Sequence, residues 1–217
     1  MKCYCISGLG ADKRAFQNIE FGFELIHVDW IEPKVKESLS SYSQRLSTQI
    51  DNSEPFVLLG LSFGGLIACE LSRLLAPEQT ILISSLTNKT DLHPFIQLIS
   101  KTHLHRLIPF SRLKPPMSLT YWLFGINTSA NKKLLKSIIS DTNPKLLKWS
   151  IDKILSTDLV VKPSNLLRIH GTNDRLIPAK KASNVHWIEK GGHFMVLQQA
   201  TQINKVLSFY ALKKPKL

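Results

Sequence analysis

FVLLGLSFGGLIACELSRLL, residues 56–75, joins two hydrophobic rhythms at a serine. Phe56–Leu61 is apolar everywhere except Gly60, so both of its faces are buried, as in a strand inside a parallel sheet. From Phe63 onward Leu66, Ile67, Leu71, Leu74 and Leu75 recur at helical spacing, and Pro77 stops the run. Gly60-Leu61-Ser62-Phe63-Gly64-Gly65 lies at the junction. A serine where a buried strand turns straight into a helix is held on a sharp turn, its hydroxyl exposed above the sheet. Side chains at 60 or 64 would clash in so tight a turn, and the helix N-terminus beside Ser62 favours developing negative charge. The competing reading is a chance G-x-S-x-G, against which stand the strand before it and the helix after it.

The same alternation extends in both directions. Lys2–Ser7, Glu24–Asp29, Thr80–Ser84, Leu166–His170 and Val185–Ile188 read as further strands. Leu39, Tyr42, Leu46 and Ile50 make a helical face, as do Ile203, Val206, Leu207 and Tyr210. Strands alternating with helices predict an α/β domain: a mostly parallel sheet covered on both faces. Residues 87–157 break the alternation. They show no strand pattern, and Leu134, Leu135, Ile138 and Ile139 suggest one helix. Asn143-Pro144 reads as an N-cap with proline at the first helical position of another. The expected organisation is a core of 1–86 and 158–217 with a helical insertion over 87–157.

At 217 residues and 43% hydrophobic, the chain suits one domain with a full core and excludes a disordered or collagen-like protein. Lys and Arg total 28 against 16 Asp and Glu, a formal charge of +12. The insertion carries 11 basic and 3 acidic residues, so most of the excess sits there. Such a charge fits an acidic substrate, an acidic thioester carrier or peripheral contact with an anionic membrane surface, and equally a solvated lysine-rich face. No nucleic-acid-binding motif accompanies it, so nucleic acid is not the expected partner. Three cysteines are too few for a disulfide framework and imply reduced thiols. Cys3-x-Cys5 lacks the neighbours of a metal site, so no metal is expected. The apolar run after Met1-Lys2 is too short for a signal peptide, no stretch is long enough for a membrane helix, and the expected location is the cytoplasm.

A serine hydroxyl needs a base to act as a nucleophile. Of seven histidines, His193 in Gly191-Gly192-His193-Phe194 lies in a loop between the last strand and the last helix, on the sheet edge expected for Ser62. His27 and His186 sit within strand patterns, His170 ends a strand as a packing or loop-shaping residue, and His93, His103 and His105 fall in the insertion as surface groups. Asp174, directly after the fifth strand in HGTNDRLIP, is the candidate to orient the imidazole; its plain alternative is a turn-forming Asx residue. Asp91, Asp152 and Asp158 are weaker rivals. The backbone N–H groups of Phe63 and Leu9 are the candidate oxyanion donors. Gly8-x-Gly10 also fits a dinucleotide loop, but Lys13 stands where the third glycine belongs. Phe110, Met117, Tyr121, Trp122, Phe124 and Trp149 are candidates to line an apolar acyl site, or else form the insertion's own core.

With GLSFGG around Ser62, HGTNDRLIP around Asp174, GGHF around His193 and SGLGAD after the first strand, the chain resembles the α/β-hydrolase superfamily over nearly its whole length. The order Ser, Asp, His along the chain is that of the family. The family's oxyanion loop often begins with histidine, where this chain has Ser7, and the separation of Asp174 from His193 is on the short side. The resemblance implies a compact member without the family's first two strands, with residues 87–157 as a helical cap. It implies a serine hydrolase using Ser62, His193 and Asp174 on a small-molecule ester or thioester, with no cofactor. An acyltransferase or lyase on the same scaffold, or a slow-turnover ligand-binding receptor, remains the alternative, because a fold does not fix a function.

Overall fold

The computed structural model describes residues 1–20, 22–102, 116–156, 163–179 and 184–212, with residues 211 and 212 described by their backbone alone. Six strands form one sheet: β1 (Lys2–Ile6), β2 (Glu24–His27), β3 (Phe56–Leu61), β4 (Gln79–Ile83), β5 (Leu166–Gly171) and β6 (Val185–Ile188). Their order is β2-β1-β3-β4-β5-β6, and every neighbouring pair is parallel. Three strand ends fall short of the sequence expectation: β1 stops at Ile6 rather than Ser7, and the other two have a local reason. Ser84 has φ +47°, which ends β4 at Ile83, and Asp29 lies past the last paired residue of β2.

Side-chain alternation sorts the sheet into two faces. Tyr4, Ile6, Phe56, Leu58 and Leu82 pack with α1 (Leu39–Leu46) and α2 (Phe63–Leu75). Cys3, Cys5, Val57, Leu59 and Ile81 pack on the other face with α7 (Met195–Gln198) and α8 (Ala200–Leu212). The Ser38 hydroxyl caps α1 by accepting the Ser41 N–H at 3.0 Å. The helical spacing of the sequence runs on to Ile50, but the α-helix stops at Leu46 and a 3₁₀ turn over Ser47–Gln49 completes it. The helix α2 ends in the left-handed Ala76, φ +47°, just before Pro77. All three cysteines are free and buried, and burial pushes the Cys69 thiol up to about 12.

Between β4 and β5 the described residues are helical: α3 (Pro94–Thr102), α4 (Met117–Phe124), α5 (Ser129–Asp141) and α6 (Pro144–Ser156) follow a 3₁₀ turn at Lys89–Asp91. Asn143 Oδ1 accepts the N–H of Lys145 at 2.8 Å, so the Asn-Pro signature does start α6. Ion pairs fasten this segment to the sheet domain, Lys145 to Glu32 at 2.7 Å and Asp141 to Arg14 at 2.7 Å. Of the segment's basic residues, Lys145 is thus paired across this junction, while the second pair uses the segment's acidic Asp141. No helix of the described residues is long and apolar enough to cross a membrane.

The strand order fixes where a site belongs. From β1 the chain moves to the neighbouring edge strand β2, then crosses back to β3 on the opposite side of β1. The loops after β1 and β3 therefore diverge and leave a crevice at the carboxyl ends of the strands. They remain close at its base: a Cβ added to Gly8 would lie 3.3 Å from Ser62 Cβ.

Candidate active site

Ser62 stands between β3 and α2 with φ +51° and ψ −119°. That conformation costs about 1–3 kcal/mol for a non-glycine residue and persists only where its surroundings over-determine it. Here they do. The Ser62 N–H donates to Ile83 O at 2.9 Å, while its carbonyl accepts the Gly65 N–H at 3.0 Å and the Ser85 hydroxyl at 2.7 Å. Arg168 on β5, itself buried, donates through Nη2 to Ser85 O at 3.3 Å and to Asp91 Oδ2 at 2.9 Å. The glycines answer to close backbone packing. A Cβ on Gly60 would sit 2.5 Å from Gly65 Cα, and one on Gly64 would run into the carbonyl oxygens of Ser7 and Ile6.

The loop after β6 carries His193 to Ser62, with Nε2 2.9 Å from Ser62 Oγ. The loop after β5 carries Asp174 to His193, with Oδ2 2.9 Å from Nδ1. These two loops are pinned together: Asn173 N–H donates to Gly191 O at 2.9 Å and Lys190 N–H to Thr172 Oγ1 at 2.8 Å. The second Asp174 oxygen accepts the N–H groups of Leu176 at 3.0 Å and Ile177 at 2.8 Å. Burial by itself pushes the Asp174 carboxyl up, but the adjoining imidazole of His193 and hydrogen bonds from His170 and His193 hold it well below the usual carboxylate range. An ionised Asp174 only accepts, so the proton of His193 is assigned to Nδ1, and Nε2 faces Ser62 with its lone pair. The structure thus brings together Ser62, His193 and Asp174, residues far apart in the chain.

The other candidates lie elsewhere. Asp91 is taken by Arg168 and by the Thr87 N–H at 2.8 Å, and Asp152 pairs with Lys153 at 3.3 Å. His27 is partly buried beside Phe16, and His93 and His186 are exposed. His103, His105, Phe110 and Asp158 lie outside the described residues, as does part of the boundary near 157–158. Phe63 begins α2, in the turn whose N–H groups lack intrahelical partners, and Leu9 lines the cavity beside Ser62. Among the described residues no group of three or more His, Cys, Asp or Glu is placed to hold a metal ion.

Two contacts escaped the sequence. His170 Nε2 lies 2.6 Å from Ile177 O and 3.3 Å from Asp174 Oδ2, so it shapes the loop and also touches the carboxylate. The strand-end position of His170, four residues before Asp174, was the available signal. Phe124 closes on the histidine from α4: its ring meets the His193 imidazole edge-on at 5.4 Å, and its carbonyl accepts the Phe194 N–H at 3.1 Å.

A cavity of about 470 Å³ opens above Ser62 and His193. Of the six residues with which the sequence would line an acyl site, only Phe124 borders it among those described. Trp149 is buried against α1 and α2, its indole 4.3 Å from the Tyr42 ring and its Nε1–H bonded to Glu37 O at 3.0 Å. Trp122 stands two residues from Phe124, on the far side of α4. It is 55% exposed, under the Arg175 guanidinium at 4.6 Å. Tyr121 packs against the core edge beneath Lys132. The walls come instead from Ile96 and Ile99 of α3, Leu135 and Ile138 of α5, and Ile151 and Ile154 of α6.

No protein-family model matches the chain, and no curated protein matches it by sequence. Solved structures do match in fold. A hydrolase from Oleispira antarctica superposes with TM-score 0.71 at 14% identity, covering 98% of this chain and 91% of its own. A lipase-esterase related protein from Clostridium acetobutylicum gives 0.66 at 15%, covering 96% and 93%. A thermophilic esterase from Thermogutta terrifontis gives 0.68 at 14%, covering 98% and 90%. The chain has the α/β-hydrolase fold in a compact form.

Proposed function

We propose that this α/β-hydrolase-fold chain is a serine hydrolase that cleaves a carboxylic ester or thioester through an acyl-enzyme. The observation that carries the reading is the continuous relay of 2.9 Å contacts from Asp174 through His193 to Ser62, at the floor of an apolar cavity. Ser62 Oγ attacks the carbonyl carbon as its proton passes to His193 Nε2. Asp174, held ionised, stabilises the imidazolium and fixes its tautomer. The amides of Leu9 and Phe63 receive the oxyanion. His193 then gives its proton to the departing alkoxide or thiolate, and a water enters. His193 takes a proton from that water, which attacks the acyl-Ser62 carbonyl; collapse releases the acid and restores Ser62.

In this reading residues 87–157 act as a cap that walls the substrate, a small acyl compound. The esterases among the similar folds lend support, at identities that speak for the fold alone. The deciding experiment is covalent labelling with a fluorophosphonate, read by intact mass. Wild type is expected to gain one adduct on Ser62, and Ser62→Ala and His193→Ala none. An unlabelled wild type, or an adduct that survives Ser62→Ala, overturns the reading.

A further inference from the structure

We propose that the acid released is a medium-length unbranched aliphatic one, of roughly eight to twelve carbons, and that Ile99 and Ile154 set its length. This rests on the hydrolase reading above and adds the substrate class. The first argument is chemical. Among the described residues that line the cavity, only Ser62 and His193 bring a polar side chain; the rest are Leu, Ile, Phe, Ala and Gly. A carboxylate, amide or hydroxyl carried into such a space loses its water and gains no partner, at a cost of several kcal/mol. The walls are mainly aliphatic, with Phe124 and Phe194 the only rings among the described lining residues other than the His193 imidazole. They suit a flexible methylene chain, which can follow an irregular aliphatic surface.

The second argument is size. At about 30 Å³ per methylene-sized group, a chain of roughly eight to twelve carbons takes up half to three-quarters of the 470 Å³. An acetyl group would leave most of the space unfilled. The third is placement. Ser62 and His193 sit at the sheet end of the cavity, while Ile96 and Ile99 on α3 and Ile151 and Ile154 on α6 wall it from the helical segment. The Ser100 hydroxyl, buried, donates to Leu155 O at 2.5 Å and ties α3 to α6 at this wall. The cavity also reaches solvent, because Ile139 lines it and is 41% exposed. The leaving group departs before water enters, so it belongs at the open side. The acyl chain stays attached through both steps and belongs in the walled space.

The test is kcat/KM on p-nitrophenyl esters from acetate to palmitate, below the concentrations at which they aggregate. The expected profile rises about fourfold per added methylene, the worth of one buried CH₂. It peaks near eight to twelve carbons and falls beyond. Ile154→Phe and Ile99→Phe should each move the peak shorter, by about one carbon, and Ile154→Ala should move it longer. The monoester of an eight-carbon dicarboxylic acid should be at least 100-fold poorer than octanoate. A flat profile, a preference for acetate, octyl acetate preferred over methyl octanoate, or a peak unmoved in all three variants overturns the inference. Fluorophosphonate labelling separates the two claims: a labelled Ser62 with a flat profile sinks the acyl assignment alone, and an unlabelled Ser62 sinks the hydrolase reading beneath it.

Discussion

His170 Nε2 lies 3.3 Å from Asp174 Oδ2, the carboxylate oxygen that His193 Nδ1 reaches at 2.9 Å. The two imidazoles differ in what else they hold. His170 also reaches Ile177 O at 2.6 Å, which requires a proton on its Nε2, and so it ties strand end, loop and carboxylate together. Replacing it by leucine strands a buried carbonyl and part of a buried carboxylate. His170→Leu should cost about 1–3 kcal/mol in urea unfolding and lower kcat roughly tenfold. His170→Gln, which keeps a donor, should recover part of both.

Asp174→Asn should leave the fold intact and reduce kcat by about four orders of magnitude, because the amide favours the wrong tautomer of His193. It should also change the response to acid. The native carboxyl titrates below its unfolded value, near 3.9, so its stabilising contribution is complete above about pH 4 and is lost as pH falls through the lower native value. Unfolding midpoints measured between pH 7 and pH 2 should fall less steeply in Asp174→Asn than in wild type.

The competing carboxylate makes a separate prediction. Asp91 is buried against Arg168 and takes no part in the relay to Ser62. Asp91→Ala should retain fluorophosphonate labelling yet lose about 3–5 kcal/mol of stability, since it leaves the guanidinium buried and unpaired. Asp91→Ala with Arg168→Met should be less damaging than Asp91→Ala alone. Loss of labelling in a folded Asp91→Ala would make this carboxylate part of the chemistry.

Gly64→Ala sets a methyl group against the carbonyl oxygens of Ser7 and Ile6, which belong to β1 and the loop after it and have nowhere to move. A loss of at least about 2 kcal/mol is expected in urea unfolding, on the scale of an overpacked core. A neutral result would show that the loop after β1 yields more than its packing suggests.

Trp149 and Trp122 should separate cleanly. Trp149→Ala empties a core position and should cost about 3–5 kcal/mol, with the acyl-chain profile unchanged. Trp122→Ala removes an exposed ring and should shift unfolding by under about 0.5 kcal/mol. A changed chain-length preference in either variant would return the aromatic residues to the substrate site.

What the sequence made legible follows from how local each signal was. Phe63–Leu75 was readable to the residue because glycine, apolar spacing and proline mark both ends within one short stretch. The Ser62, Asp174 and His193 loops were readable because each follows a strand of a parallel sheet, and such loops share one edge. The walls of the cavity were not. Aromatic residues draw attention by their size, yet Trp149 turns to α1 and α2, and α4 turns Trp122 outward. Which face of a helix meets which neighbour depends on the packing of α3, α5 and α6 together, and no single segment encodes that. The sequence marks His170 as a packing or loop-shaping residue, but its reach to Asp174 depends on how the loop through Ile177 folds back over the strand end.

Phe124 is joined to the histidine loop at three points: its ring on His193, its carbonyl on the Phe194 amide, and its neighbour Gly125, where a Cβ would fall 2.9 Å from Gly192 Cα. The helical segment is thus no interchangeable module bolted onto a finished sheet domain. Excising it, or grafting another in its place, would strip the imidazole, hydrogen-bonded to Asp174, of the ring that packs on it. On the proposed function, substrate range and chemistry would therefore be inherited together, and change in one by recombination would have to carry the α4 junction along with it.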